Sequence, residues 1–480
     1  MRPVLTVGEM RAADAAALAH VTEDELVARA GSKVAQAAVR LLGGAYGRRV
    51  VVVAGPGNNG ADGRVAARLL ARRGASVRTV PAAEPGPVGS CDLVVDAAYG
   101  TGFRGTYEAP AVPAGVPVLA VDIPSGVRGD DGVASGRPLR ATATVTFAAL
   151  KPGLLQGDGR ELAGAVEVAD IGLAVGEPSM AVVDDADVAG LLPRRPPDTH
   201  KWATAVAVVA GSPGMEGAAA LAARGASRAG AGMVRLAVPG TAPAPGAPGP
   251  GVPGPWPLEA VRLPLPAQGW ADEVLEVLGR CRALVVGPGI GRAAPTGGEV
   301  RRLIAASPVP VVADADALFA LGGVAGVREA VLAGRRPVVL TPHAGEFAAL
   351  AGSGPGADRI GAARRLAEDT GAVVLLKGSL TVVATPSDAV EARSPGHPPV
   401  LLAAAGSSRL ATAGTGDVLS GMIGAFLARG LPAGTAAAFA AHVHGRAAAR
   451  GHPEGLVAGD LPQLVATWLS DQAGGRDAAP

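Results

Sequence analysis

Apolar residues recur along this chain in two rhythms. Val50, Val51, Val52 and Val53 form an unbroken β-branched run, as expected of a strand buried on both faces of a parallel sheet. Elsewhere apolar positions fall three and four apart. Val418, Leu419, Met422, Ile423, Phe426 and Leu427 make one such stripe, which predicts a helix. In the first half, helices are predicted within 8–46, one opening at Glu9, Met10 and Ala13 and another over 23–42, closed by Gly43-Gly44. Strands follow at 50–53, 76–80, 93–95, 116–121 and 142–147. A helix bearing Val65, Leu69 and Leu70 begins after Gly63 and is closed by Gly74. In the second half, strands are predicted at 203–209, 233–238, 283–286, 309–313, 337–340, 372–376 and 380–384, with helical segments between them. This alternation predicts an α/β protein, an N-terminal Rossmann-like three-layer sandwich followed by a second α/β domain.

The aperiodic stretch 191–199 holds three prolines and reads as a linker. It sets the expected boundaries at 1–192, a linker at 193–199, and a second domain over 200–470. Another Pro/Gly-rich stretch, 240–257, reads as a long surface loop, because strands continue on both sides of it. A length of 480 residues also fits two domains.

Charge narrows the partners. Lys and Arg total 43 against 42 Asp and Glu, a net charge of +1, so nothing favours nucleic acid or an anionic membrane. No apolar run is long enough to span a bilayer. Cys91 and Cys281 fall in different predicted domains, which argues against a disulfide framework. The expectation is a soluble cytoplasmic homo-oligomer acting on small molecules.

Chemistry gathers in the loops after the strands. In the first half these are Gly55-Pro56-Gly57-Asn58-Asn59-Gly60-Ala61-Asp62-Gly63, Asp96-Ala97-Ala98-Tyr99-Gly100-Thr101-Gly102, Asp122-Ile123-Pro124-Ser125-Gly126 and Lys151-Pro152-Gly153. Loops at strand C-termini line the ligand crevice of an open α/β sheet. Gly55, Gly57 and Gly60 satisfy G-x-G-x-x-G, but the strand at 76–80 ends in Pro81-Ala82-Ala83, without the acidic residue a dinucleotide fold requires there. Tight turns explain Gly55 and Gly57, though not Asn58, Asn59 and Asp62 together. In the second half, Gly414-Thr415-Gly416-Asp417 opens the apolar helix, so free N–H groups and the positive dipole end favour an anion there. An Asp in that turn fits a base acting on a hydroxyl that faces a phosphate, and hence phosphoryl transfer to an alcohol. No G-x-x-x-x-G-K-[ST] is present. His343 in Thr341-Pro342-His343-Ala344-Gly345-Glu346-Phe347 is either functional or a cap for the following helix.

Over about 5–175, N-N-G-A-D-G, D-A-A-Y-G-T-G, V-D-I-P-S-G and K-P-G resemble, in order, the signatures of the NAD(P)H-hydrate epimerase family. The resemblance implies a potassium ion held by Asn59, Asp96 and Ser125, oxygen donors suited to a hard cation. It implies that the hydrated nicotinamide nucleotide is contacted by Asn58, Asn59, Gly60, Ala61, Asp62, Gly100, Thr101, Gly102, Phe103, Arg104, Gly105, Thr106 and Asp122. Ala61 stands where the family usually has glycine. The substrate is a hemiaminal, so loss and return of its C6 hydroxyl inverts the centre, with Asp122 shuttling the proton as acid and base. Lys151 would hold the leaving oxygen or a phosphate. The plainer alternatives make Asp122 a turn cap and Lys151 a solvated strand end.

Over about 200–465, G-M-E-G-A-A, R-A-G-A-G-M-V, V-G-P-G-I-G, A-D-A-D-A-L, T-P-H-A-G-E-F, L-K-G-S-L-T and A-T-A-G-T-G-D-V-L-S-G resemble the NAD(P)H-hydrate dehydratase family, which has a ribokinase-like α/β fold. The family implies ADP as co-substrate, with magnesium. Lys377, Gly378, Ser379, Leu380, Thr381 and Gly416 would hold the nucleotide, and Ala218, Gly289, His343 and Asp417 the hydrated substrate. Trp202 replaces a usual glycine, and Glu346 either orders its loop or meets magnesium. Asp417 would deprotonate the C6 hydroxyl as it attacks the β-phosphoryl group, with the N–H groups of 413–416 stabilising the transferred charge. The resemblances imply a bifunctional repair enzyme for NADHX and NADPHX, the hydrated forms of NADH and NADPH. The rivals are a ribokinase-like kinase of a small alcohol with a non-catalytic N-terminal domain, and a scaffold of the kind found in messenger-RNA decapping. Asn59, Asp96, Asp122 and Ser125 argue against the scaffold.

Overall fold

The computed structural model describes residues 1–83, 86–242, 254–390 and 397–477. Most of the predicted 240–257 loop lies outside the described residues. The chain forms two compact units. One is Arg2–Met180 together with Ala357–Arg359, and the other is Ala181–Gly356 with Ile360–Pro480 and Met1. The division falls ahead of the expected boundary at 192. The reason is local: Val183 N–H donates to Leu402 O at 2.9 Å, and Asp185 holds His442 at 2.7 Å and Arg446 at 2.6 Å, all within the second unit. Among the described residues, no helix is long and apolar enough to cross a membrane.

The first unit is built on a parallel sheet whose order is Ser76–Pro81, Arg49–Ala54, Leu93–Ala97, Val118–Val121, Ala143–Phe147, Ala165–Ala169. Alternation within the valine run explains its continuity. Val50 and Val52 pack in one core with the helices Glu23–Leu42 and Asn58–Arg72, while Val51 and Val53 pack on the other face beside Phe103 and Tyr107. The strand order reverses beside Arg49–Ala54, whose two neighbours, Ser76–Pro81 and Leu93–Ala97, both follow it in the chain. Ligand crevices form at the carboxyl ends of strands at such a switch point.

In the second unit the sheet runs through Val400–Ala403, Thr381–Ala384, Val373–Leu376, Val338–Leu340, Val311–Ala313, Ala283–Val286, Ala205–Val209, Met233–Val238 and Ala260–Pro264. Only the pairings made by Thr381–Ala384 in this run are antiparallel. Here the switch lies between Ala205–Val209 and Ala283–Val286, with Gly211 N–H donating to Pro288 O at 2.7 Å across it. Ala260–Pro264 and Val400–Ala403 had too short an apolar pattern to stand out in the sequence.

Two helices of this unit cross at unusually close range. A Cβ on Gly225, in Glu216–Arg228, would lie 2.3 Å from Val418 O, and one on Gly421, in Thr415–Ala428, would lie 2.0 Å from Ala222 O. Glycine is thus required at both positions for the backbones to meet. The contact fixes the helix whose first turn carries Asp417. Gly421→Ala should destabilise the second unit by about 1–3 kcal/mol through overpacking. All four tryptophans, Trp202, Trp256, Trp270 and Trp468, belong to this unit, so urea unfolding followed by tryptophan fluorescence reads it directly. An unchanged midpoint would show that the crossing relaxes freely.

Candidate active sites

In the first unit, glycines bring three chain segments together at the ends of Arg49–Ala54 and Leu93–Ala97. A Cβ on Gly55 would stand 1.8 Å from Ala98 O, and one on Gly60 would stand 1.9 Å from Gly55 O. The helix begins at Asn58 with Gly57 as its N-cap, six residues earlier than the glycine pattern predicts. Asn58, Asn59 and Asp62 therefore share one face of its first turns. They line a cavity of about 640 Å³ with Gly100–Arg104, Asp122 and Lys151. Gly60 is buried and Ala61 is helical with negative φ; neither lines this cavity. The Ala61 Cβ therefore sits in an ordinary helical position. Gly105 faces a second cavity, of about 490 Å³, that shares Thr101–Arg104 with the first. Thr106 instead lies 3.4 Å from the Ser135 hydroxyl.

Asp122 is held in a left-handed conformation, φ 68°, uncommon for a non-glycine residue. Its carboxylate accepts from Lys151 Nζ at 2.8 Å, from Thr101 N–H at 2.8 Å, from the Thr101 hydroxyl, and from Thr146 at 3.3 Å. Burial raises the pKa of this carboxyl, but the Lys151 charge and these bonds outweigh burial and leave it below the ordinary carboxylate value. Lys151 is fully buried and also donates to Thr146 at 2.7 Å and to Phe147 O at 2.9 Å. It is neither a solvated strand end nor free to seize a leaving oxygen; its charge serves Asp122. Asp62 differs in every respect. It is buried without a hydrogen-bond partner among the described residues, and burial followed by the Asp122 charge pushes it up to about 8.

Asp96 and Ser125 come together, Ser125 N–H donating to Asp96 at 2.9 Å, while the Ser125 hydroxyl joins Tyr99 N and O at 2.9 and 3.1 Å. Burial raises Asp96, which lies wholly inside. Among the described residues, Asn59 Nδ2 is buried with no partner. The sequence reading missed Arg11 and Asp14, which line the cavity from the helix Val7–Leu18. Both sit on an outwardly polar helix far from any glycine loop, and no motif marks them.

In the second unit, Gly414 caps Thr415–Ala428 at φ 88°, and the Thr415 hydroxyl ties the turn to Leu410 O at 2.8 Å. Asp417 lies in the first turn. Burial, then the Asp314 charge, push its carboxyl up to about 7 against the pull of Lys377. Lys377 Nζ donates to Asp314 at 2.7 Å and lies 3.9 Å from Glu346. Burial opposes the ammonium charge, and Asp314 and Glu346 overcome it, so Lys377 stays raised. Asp314 also accepts from the Ser420 hydroxyl. Neither Asp314 nor Ser420 was assigned a role from sequence. The signal for Asp314 was its place just after a buried valine strand, the same place Asp122 occupies in the first unit.

Lys377–Leu380 form the turn between two antiparallel strands, Leu380 with its side chain buried. The Lys377 amine faces Gly416, where a Cβ would lie 3.3 Å away. Gly289, at φ 61°, adjoins Ala218, with only 2.8 Å between a Cβ placed there and the Ala218 Cβ. His343 does cap its helix. Nδ1 accepts from Gly345 and Glu346 N–H at 3.0 and 3.2 Å, and Glu346 returns the bond to His343 N–H at 2.9 Å. With Nδ1 accepting, the ring proton of the neutral form is on Nε2, so an exposed donor remains available. Glu346 thus orders the loop. Trp202, in place of a glycine, stacks on Arg280 at 3.8 Å from the ring centre.

Two family profiles match separate parts of the chain. The NAD(P)H-hydrate dehydratase family profile matches 206–470, and that of the YjeF-related protein N-terminus matches 23–90 and 81–153. Bifunctional NAD(P)H-hydrate repair enzyme Nnr of Mycobacterium tuberculosis H37Rv is 40% identical, covering 91% of this chain and 92% of its own. The enzyme of the same name from Mycobacterium leprae is 39% identical, with 98% of each chain covered. A solved ADP/ATP-dependent NAD(P)H-hydrate dehydratase from Bacillus subtilis, co-crystallised with ATP and Mg2+, is 26% identical over 60% of this chain and 97% of its own, at TM-score 0.47. By sequence, site and relatives together, the chain belongs to the family of bifunctional NAD(P)H-hydrate repair enzymes.

Proposed function

We propose that the first unit interconverts the R and S epimers of NADHX and NADPHX, and that the second dehydrates the S epimer to NAD(P)H while ADP is converted to AMP and phosphate. The observation that carries this reading is Asp417, a carboxyl pushed up to about 7 in the first turn of a helix whose N-terminus has no side-chain cap. A base of that strength takes the C6 hydroxyl proton at neutral pH. The deprotonated oxygen attacks the β-phosphoryl group, and the helix N-terminus, with Lys377 beside Gly416, stabilises the transferred charge. The ring nitrogen then expels the phosphate from C6, leaving a cyclic iminium, and loss of a proton from C5 restores the dihydronicotinamide.

The carboxyl groups around Lys377 outnumber its single positive charge: Asp314, Glu346 and Asp417 all act on it, and Asp314, Glu346 and Asp316 act on Asp417. That excess suits a divalent cation. Magnesium takes one or two carboxylates together with phosphate oxygens, and Asp314 and Glu346 are the residues that would hold it. It would supply charge neutralisation for the nucleotide. In the first unit, the Asn59 amide oxygen, the buried Asp96 carboxyl and the Ser125 hydroxyl are the oxygen donors that would suit potassium. There the ionised Asp122, secured by Lys151, acts as the base of epimerisation.

Two variants separate the activities. Asp417→Asn should lower ADP-dependent dehydration of the S epimer by about 10²–10⁴-fold. In the unaltered chain that rate should climb as pH rises through about 7, because the ionised form is the base. A flat profile between pH ~5 and ~8 would remove Asp417 from this role. Asp122→Ala should abolish enzymatic conversion of the R epimer and leave dehydration of the S epimer intact. Continued repair of both epimers at the original rate would show that epimerisation is placed at the wrong carboxylate.

A further inference from the structure

The cavity of the first unit is walled by two aspartates in opposite circumstances. Asp122 is saturated with donors, as described above. Asp62 lines the same cavity and is buried, yet no described residue donates to its carboxyl. The other wholly buried carboxyl here, Asp96, receives N–H groups from Ser125 and Ala98. A buried carboxylate without donors is costly as an anion and is favoured as the neutral acid. The backbone bearing Asp62 has no room to shift. Its helix meets Glu23–Leu42 at Gly31, where a Cβ would lie 2.5 Å from Val65 Cβ and 2.7 Å from the Asp62 carbonyl oxygen.

We propose that Asp62 is the general acid of epimerisation, giving its proton to the hydroxyl that leaves C6, while Asp122 takes a proton from the water that arrives on the opposite face. This rests on the epimerase reading of the first site. The ring-nitrogen lone pair breaks the C6–O bond, the oxygen leaves as water with the Asp62 proton, and a cyclic iminium remains. Water then forms the new C6–O bond from the other side and passes its extra proton to Asp122. No hydrogen leaves C5, so the dihydronicotinamide is not regenerated here. The two carboxyls still share one proton, now on Asp122, and the opposite epimer reacts with their roles exchanged.

Burial and Asp122 push Asp62 to about 8, while Lys151 holds Asp122 down, so at neutral pH the acid is loaded and the base is free. Two carboxyls driven apart in this way form an acid–base pair. Arg11, Asp14, Glu23, Arg104 and Lys151 are the other charged groups facing the cavity. Asp62 answers mainly to its burial and to Asp122.

The test uses the full chain without ADP, following R-epimer conversion by chromatography from about pH 6 to about pH 10. The unaltered enzyme should lose kcat as pH rises through about 8. Asp62→Asn, equal in size but unable to supply the proton, should cut kcat at neutral pH by about 10²–10⁴-fold. KM should change much less, and the alkaline fall should vanish from the residual rate. A variant with near-normal kcat, or one that keeps the same alkaline fall, overturns the proposal. If the variant does not fold, the unaltered profile decides: a rate flat above pH ~7 overturns it. An unaltered chain that does not interconvert the epimers at all overturns the epimerase reading itself.

Discussion

A carboxylate at the end of a buried parallel strand stays charged only if something inside the protein answers it. Both units solve this in the same way, with a lysine ammonium brought against the aspartate that follows a valine-rich strand. Lys151 meets Asp122 at 2.8 Å and Lys377 meets Asp314 at 2.7 Å. Removing one partner of such a pair leaves an uncompensated buried charge, at a cost of about 3–5 kcal/mol. Each pair also sets the chemistry around it. With one carboxylate held ionised, a second nearby, Asp62 or Asp417, meets both burial and a fixed negative charge and is pushed upward, to about 8 and about 7. Each site thus places a carboxyl of raised proton affinity beside a carboxylate held ionised.

Packing brings these groups into place through glycine. In each unit the site lies at the carboxyl ends of the parallel strands, and there chain segments approach too closely for a Cβ. Gly55 and Gly60 close the first site, while Gly225 and Gly421 seat the helix of the second. These positions are governed by steric contact between backbones, apart from the turns in which glycine serves by its positive φ, such as Gly289 and Gly414.

Much of this was legible in the sequence. The strands buried on both faces announced themselves as β-branched runs, and the loops after them held the residues that the cavity gathers, Asn58, Asn59, Asp62, Thr101 and Asp122. The start of the Asn58–Arg72 helix was not, because Gly60 and Gly63 look like loop residues, whereas tertiary contact demands them inside a helix. Lys151 read as a strand end, since nothing local shows that its ammonium folds back onto Asp122. Asp314 and Ser420 are 106 residues apart, and their bond exists only in the folded chain. His343 was ambiguous for a physical reason: its two ring nitrogens do different work, one capping the helix and one left outside. The boundary was placed late because prolines mark irregular backbone, whereas the division follows the contacts of Val183 and Asp185.

The most direct test of the paired sites is recovery of the reduced-nicotinamide absorbance from an equimolar mixture of R and S NADHX, using the unaltered full chain with ADP and magnesium. With both sites working, all of the NADHX should return as NADH in an enzyme-dependent course, without a plateau after the S epimer is consumed. Recovery that halts near one half and then continues only at the enzyme-free rate of epimer exchange would contradict the account of the first unit, and no recovery at all would contradict that of the second.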